Sequence, residues 1–291
     1  MFKINYMNKR FILIPLIFIF MLSVAACTQT VRETPKEEDG MVSISQGKFK
    51  MGLDDGEQNE KPQHDIFLGE FKIDKYEVSA KEFAEFLNDR GNLQNQYFSH
   101  DNYSTVMGIS KIQGKEVETR ENPQSYIPRK GFDNFPANNV SWFGAYSYCQ
   151  WKGKRLPTEA EWEKAARGKD GRIYPWGNSI PDDSKARYSQ KWEEKEVNVM
   201  VPVDALPQGA SYYNVFNMAG NVWEWVNDWY RLNYCKPCSH TPADASSEGT
   251  FKILRGGSWY DSYGDLAIRS TYRYWLDPAD RYLNTGFRCV K

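Results

Sequence analysis

Residues 88–135 carry no hydrophobic period, of strand or of helix type; they are polar and rich in Asn, Gln and Tyr. A connection this long is unusual in a compact domain unless it serves a function. The chain is therefore expected to be an α+β domain in which irregular loops outweigh regular elements. Large rings must then pin the loops, and the chain supplies 10 Trp, 18 Tyr and 16 Phe at a mean hydropathy of −0.69. Such a composition buries rings between loops more than it stacks aliphatic helices.

Three helices announce themselves by their caps. Ser79 can cap while Glu82 reaches back, with Phe83, Phe86 and Leu87 on one face, which predicts a helix to about Arg90. A second starts at Ser141, with Trp142, Ala145, Tyr146 and Cys149 expected on its buried face and Gly153 near its end. In the third, Thr158 caps and Glu161 is its partner, Trp162, Ala165 and Ala166 point inward, and Gly168 stops the helix. Short strands are expected at residues 49–51, 67–73, 221–226, 251–255 and 286–290.

The amino terminus joins a basic stretch (Lys3, Lys9, Arg10) to an apolar run at residues 11–24, followed by Ala25, Ala26 and Cys27. The run falls short of the roughly 20 residues of a spanning helix. Residues 1–26 read instead as a lipoprotein signal peptide, with Cys27 the lipidated first residue. Attachment to a membrane through that lipid is thus an expected partner contact, and the location is the cell envelope, at an outer membrane, periplasmic or surface side. Residues 27–40, poor in apolar side chains, read as a flexible tether, and 41–291 as one domain. A net charge of −1 points to no nucleic acid and no anionic lipid surface.

In an exported chain the remaining cysteines, Cys149, Cys235, Cys238 and Cys289, permit disulfides in three connectivities. Cys235-Lys236-Pro237-Cys238 has the form of a thiol-disulfide motif, but Ser239-His240-Thr241-Pro242 does not look like the helix that would lower a thiol pKa. A structural staple in a loop is the reading adopted. Zinc on Cys235, Cys238 and His240 lacks a fourth ligand. With only His64, His100 and His240 in the chain, zinc hydrolysis has little to work with. Gly257-Ser258-Trp259 lacks the second glycine of a nucleophile elbow. Arg255, Arg269, Arg273 and Arg288 read as bridges between loop carbonyls and carboxylates.

Several motifs in one order resemble a known family: Met51-Gly52, Asp74-Lys75-Tyr76-Glu77-Val78, Pro136-Ala137-Asn138-Asn139-Val140-Ser141-Trp142, Gly153-Lys154-Arg155-Leu156-Pro157-Thr158-Glu159-Ala160-Glu161-Trp162-Glu163, Tyr174-Pro175-Trp176-Gly177-Asn178, Asn217-Met218-Ala219-Gly220-Asn221-Val222-Trp223-Glu224-Trp225, Arg255-Gly256-Gly257-Ser258-Trp259 and Gly286-Phe287-Arg288-Cys289. The chain resembles the formylglycine-generating enzymes, or sulfatase-modifying factors, from about Val42 to its end. The resemblance implies a loop-rich relative of the C-type lectin fold. It also implies a disulfide between Cys149 and Cys289, and a structural calcium at Asn217, Gly220, Val222 and Glu224, an all-oxygen set of the kind hard Ca²⁺ accepts. The family's second disulfide would need cysteines where this chain has Ala166 and Ser270.

Enzymes of this family oxidise a sulfatase cysteine with O₂, using copper(I) on two cysteines just after the Gly-Gly-Ser-aromatic strand. Soft Cu(I) wants thiolates, yet Asp261 stands at the first position and Leu266 or Ala267 at the second. Copper and oxidase chemistry are therefore not expected. Two functions remain. One is a non-oxidase binding or structural lipoprotein, recognising other envelope proteins through residues 88–135 and 261–266. The other is an enzyme using Ser258, Tyr260, Asp261, Asp265 and Arg273 in the same cleft.

Overall fold

In the computed structural model, residues 37–191, 199–232, 249–260 and 264–291 are described. The signal peptide, Cys27, tether residues 27–36, Cys235, Cys238, His240 and Asp261 lie outside the described residues. The described part begins with a hairpin in which β1 (Glu37–Glu38) pairs antiparallel with β2 (Met41–Ile44). Asp39 and Gly40, with φ of 54° and 71°, form the tight turn whose backbone matches strand twist. Ordered structure therefore starts before Met41, and residues 37–40, expected as tether, belong to the domain edge.

Next come β3 (Gly47–Met51), β4 (His64–Leu68), β5 (Phe71–Asp74) and α1 (Ala80–Arg90). The strand expected at 67–73 is thus two, broken at Gly69 and Glu70: β4 pairs with β3 while β5 pairs with β2. The expected loop 88–135 is corrected too, because it holds β6 (Val106–Ile112), β7 (Lys115–Glu118) and β8 (Ser125–Pro128) in a sheet of order β7-β6-β8. These strands hide from a periodicity search because β7 is exposed along its whole length and has no buried face to alternate with.

α2 (Trp142–Trp151) and α3 (Glu159–Arg167) follow, then β9 (Trp223–Trp229), β10 (Lys252–Arg255), β11 (Arg273–Leu276) and β12 (Thr285–Gly286). The last four form a sheet of order β11-β10-β9-β12, antiparallel except for the β12–β9 pair. The strand expected at 286–290 shrinks to β12, and Val290 instead makes single bridges to Ile73 and Arg155.

The helix starts are as the caps predict. Ser79, Ser141 and Thr158 each accept a backbone N–H, and Glu82 and Glu161 complete capping boxes. On α2 the buried face differs from expectation: Ala145, Tyr148 and Cys149 face the core, while Tyr146 is 39% exposed and stacks on Trp142 at 5.1 Å. Rings do much of the core packing. Phe287 meets Phe83 at 5.9 Å and Tyr148 at 5.3 Å, both edge to face, a geometry worth about 0.5–1.5 kcal/mol per pair beyond burial. A second core gathers Val42, Ile44, Phe71, Ile73, Val226 and Ile253 around Trp162. Cys149 is bonded to Cys289, with Cα atoms 5.7 Å apart, joining α2 to the chain end across 140 residues. Among the described residues no helix is long and apolar enough to cross a membrane.

Candidate functional site

Beyond β10 the chain must turn sharply, and Gly256 and Gly257 adopt φ of 94° and 74°. A Cβ on Gly257 would sit 2.8 Å from the carbonyl oxygen of Ala267, so only glycine lets the 264–268 segment pass. Ser258 follows, fully buried; its hydroxyl donates to the Tyr260 carbonyl at 2.9 Å and accepts from Asn284 Nδ2 at 3.0 Å. That hydroxyl braces the loop. Trp259 is buried, with its backbone N–H on Asn221 O at 2.9 Å, while its indole Nε1 meets no acceptor among the described residues.

Tyr260 is 56% exposed, and Asp265 lies on the surface in a single 3₁₀ turn, Gly264–Leu266. Asp265 faces Tyr188, whose phenol is pushed up to about 12 by burial first and by that neighbouring carboxylate second. At the positions matching the second family cysteine, Leu266 is exposed and Ala267 wholly buried. Arg273 is elsewhere: its guanidinium grips Glu159 at 2.6 and 2.9 Å and donates to the carbonyls of Asn59 and Arg231. Of the described catalytic candidates, Ser258 and Tyr260 share one loop, Asp265 pairs with tyrosine, and Arg273 serves a separate ionic cluster.

The calcium candidates do come together. Asn217, Gly220 and Val222 are buried on the turn leading into β9, and Glu224 is buried in β9 itself. Glu224 accepts from Arg288 at 2.6 and 2.7 Å and from the Trp162 indole at 2.8 Å. Beside it lies Glu77, which sequence reasoning noted only as part of a motif. Its carboxylate takes the side-chain amides of Asn217 at 3.0 Å and Asn221 at 2.9 Å. Burial, and then the charge of Glu224, push Glu77 up to about 8. Two buried carboxyl groups thus face one guanidinium; with Glu77 protonated the charges balance, and the donors are all oxygen, which fits a hard cation in kind.

The arginines bridge as expected. Arg255 bonds Glu163 at 2.6 Å and the carbonyls of Ser270, Thr271 and Tyr272. Arg269 reaches Glu60 at 2.9 Å, and Arg288 adds the carbonyls of Asp74, Lys75 and Phe216 to its carboxylate. Arg167 was not singled out by sequence, yet it is wholly buried and ties Gly52, Lys50, Gly171 and Arg172 to Glu163. Charged arginines suit this work because one planar fork satisfies several carbonyls at once. Ala166 and Ser270, where the family's second disulfide would lie, are both fully buried, and Ser270 Oγ meets no partner among the described residues.

A loop-rich α+β domain, stitched by buried arginines around a Gly-Gly-Ser-Trp turn, defines a recognisable class. The family model described as Sulfatase-modifying factor enzyme 1-like domain matches residues 28–291, and the chain belongs to this family. It is 32% identical over 297 residues to the formylglycine-generating enzyme of Thermomonospora curvata, covering 89% of this chain and 96% of that protein. Similarity to the inactive C-alpha-formylglycine-generating enzyme 2 of Bos taurus is 30% over 278 residues, covering 86% of this chain and 87% of the relative. A serine/threonine-protein kinase, pkn1 of Chlamydia caviae, is 34% identical over 255 residues, but the chain, covered to 86%, spans only 38% of its length. Among solved structures, PvdO from Pseudomonas aeruginosa superposes with a TM-score of 0.64 at 26% identity, covering 86% of this chain and 93% of that one.

Proposed function

We propose that this protein is an envelope lipoprotein whose sulfatase-modifying-factor domain is a non-oxidase binding or structural component of an envelope assembly. The observation that carries the reading is the Gly264–Ala267 stretch, where the second copper thiolate would have to be and where Leu266 and Ala267 stand instead. Neither side chain binds Cu(I). Relatives named as formylglycine-generating enzyme and as inactive are about equally similar, at 32% and 30% identity, so the missing thiolates carry the reading. The lipid anchor rests on Cys27 and the residues before it.

Anaerobic titration with Cu(I), coupled to O₂ consumption on a sulfatase-type cysteine peptide, tests it. The expected result is no tight copper and no uptake; tight binding with uptake would overturn the reading and bring Cys235 and Cys238 to the centre.

The same reading includes a structural Ca²⁺ held by Asn217, Gly220, Val222 and Glu224, supported by the buried oxygen donors that these residues and Glu77 bring together. Saturating calcium at 100 times its Kd would add about 2.7 kcal/mol of stability. Thermal melts in EDTA and in CaCl₂ decide it, and identical melting temperatures would rule the ion out. One observation favours a catalytic alternative, the pairing of Asp265 with Tyr188. An Asp261→Asn/Asp265→Asn variant that keeps full biological function would remove that alternative.

A further inference from the structure

We propose that the cavity between the carboxy-terminal end of α1 and the loop joining β7 to β8 binds a neutral, hydroxyl-rich ligand, an oligosaccharide. The inference rests on the binding reading above and names its ligand class. The cavity holds about 500 Å³, within the range of small-ligand sites.

Its lining chemistry is unusually uniform. Half of the lining residues are Asn or Gln, Glu121 is the single charged one, and there is no Lys, Arg or His. An anionic ligand would find no cation among the lining residues, Arg281 beside them being bonded to the Asn95 carbonyl, and a cationic one would find a single exposed carboxylate. A primary amide offers a donor and an acceptor together, as a sugar hydroxyl does, so amides can pair with either face of a diol.

The amides divide their labour. Asn88 clamps Tyr126, donating to its carbonyl and accepting from its N–H, both at 2.7 Å. Asn92 accepts from the N–H groups of Tyr97 and Phe98 at 3.0 and 3.2 Å and donates to the Phe98 carbonyl at 3.0 Å. Those two fix the walls. Gln94 and Asn122 lie at the rim, exposed, with φ of 54° and 48°. Left-handed backbone at non-glycine residues costs energy and gathers at ligand clamps. Leu93, next to Gln94 in the lining, is 82% exposed, an apolar shelf suited to the C–H face of a sugar ring. The apolar lining residues Leu87 and Tyr126 are buried in the core, which leaves a peptide only Leu93 and the half-buried Pro123 for its side chains.

A second cavity among the described residues, about 380 Å³ beside Glu77, is different. Its charges are already interlocked, Lys154 on Asp74 at 2.5 Å and Glu82 on its own helix cap.

The test is calorimetric titration of the full chain with maltohexaose, cellohexaose, chitohexaose and mannohexaose. A Gln94→Ala/Asn122→Ala variant and a Leu93→Asp variant are run in parallel, with melting temperatures checked. The expected result is binding of at least one sugar by the native chain, weakened about tenfold in either variant, at unchanged melting temperature. Binding of none of the four, equal binding by the variants, or binding of an uncharged Ser-Gly-Leu peptide in place of the sugars would overturn the inference. The two proposals fail separately: absent sugar binding leaves the absence of copper chemistry standing, whereas Cu(I)-driven O₂ uptake sinks the functional reading whatever the sugars do.

Discussion

α3 and β7 are opposite extremes of one chain. Every residue of α3 is buried, five of them charged, and its carboxylates Glu159, Glu161 and Glu163 are each held by an arginine. All four residues of β7 are exposed, on an edge strand that pairs only with β6. Where charge is buried every partner is specified, because an unpaired buried ion costs several kcal/mol. Where the insertion emerges, little constrains side-chain identity, so composition there is free to vary. The frame is locked and the face is adjustable.

The largest expected effect comes from cutting the frame's covalent tie. Cys149→Ser with Cys289→Ser should lower unfolding free energy by up to roughly 4–5 kcal/mol, the chain-entropy figure for so long a loop, read from denaturant midpoints. A loss under about 1 kcal/mol would mean that the arginine network alone holds the frame. Arg255→Ala should cost about 3–5 kcal/mol, because Glu163 is left buried beside Arg167 alone and three carbonyls lose their donor. Circular dichroism in urea measures it, and a near-neutral result would break the contrast with β7.

A smaller effect is pH-dependent. Burial, and then the charge of Glu159, push Asp228 from 3.8 up to about 7. Its folded form therefore holds a proton that its unfolded form has released, so the contribution is complete below about pH 4 and is lost as pH rises to 7. The slope for this one proton cannot exceed about 1.4 kcal/mol per pH unit. Asp228→Asn should flatten that part of the stability profile while still offering an oxygen to the Glu159 N–H, which the carboxylate now accepts at 2.8 Å. The smallest effect is on the adjustable face: Val117→Ser on β7 should change stability by no more than about 0.5 kcal/mol. A larger loss would show that β7 belongs to the frame after all.

Local chemistry explains what could be read in advance. A cap and its partner lie three residues apart, so Ser79 with Glu82 and Thr158 with Glu161 declare their helices whatever surrounds them. Tyr146 was misplaced because aromatic periodicity on α2 fits two faces, and only packing against Trp142 decides between them. The strands of the insertion were missed because β6 is buried on part of its length and β7 nowhere. Glu77 looked like one polar residue beside a strand. Its character depends on Asn217 and Asn221, 140 and 144 residues away in sequence.

The amino-acid sequence by itself determined the helix starts, the sharp turn at Gly256 and Gly257, the family motifs and the loss of thiols after Trp259, since each is a matter of residue type within a few positions. Tertiary structure alone decided how Arg255 and Arg273 share the buried carboxylates of Glu163 and Glu159, and that amides scattered from Asn88 to Gln124 line one cavity. Hydrogen bonds and ion pairs act over a few ångströms in space, and only the folded chain brings such distant residues within that reach.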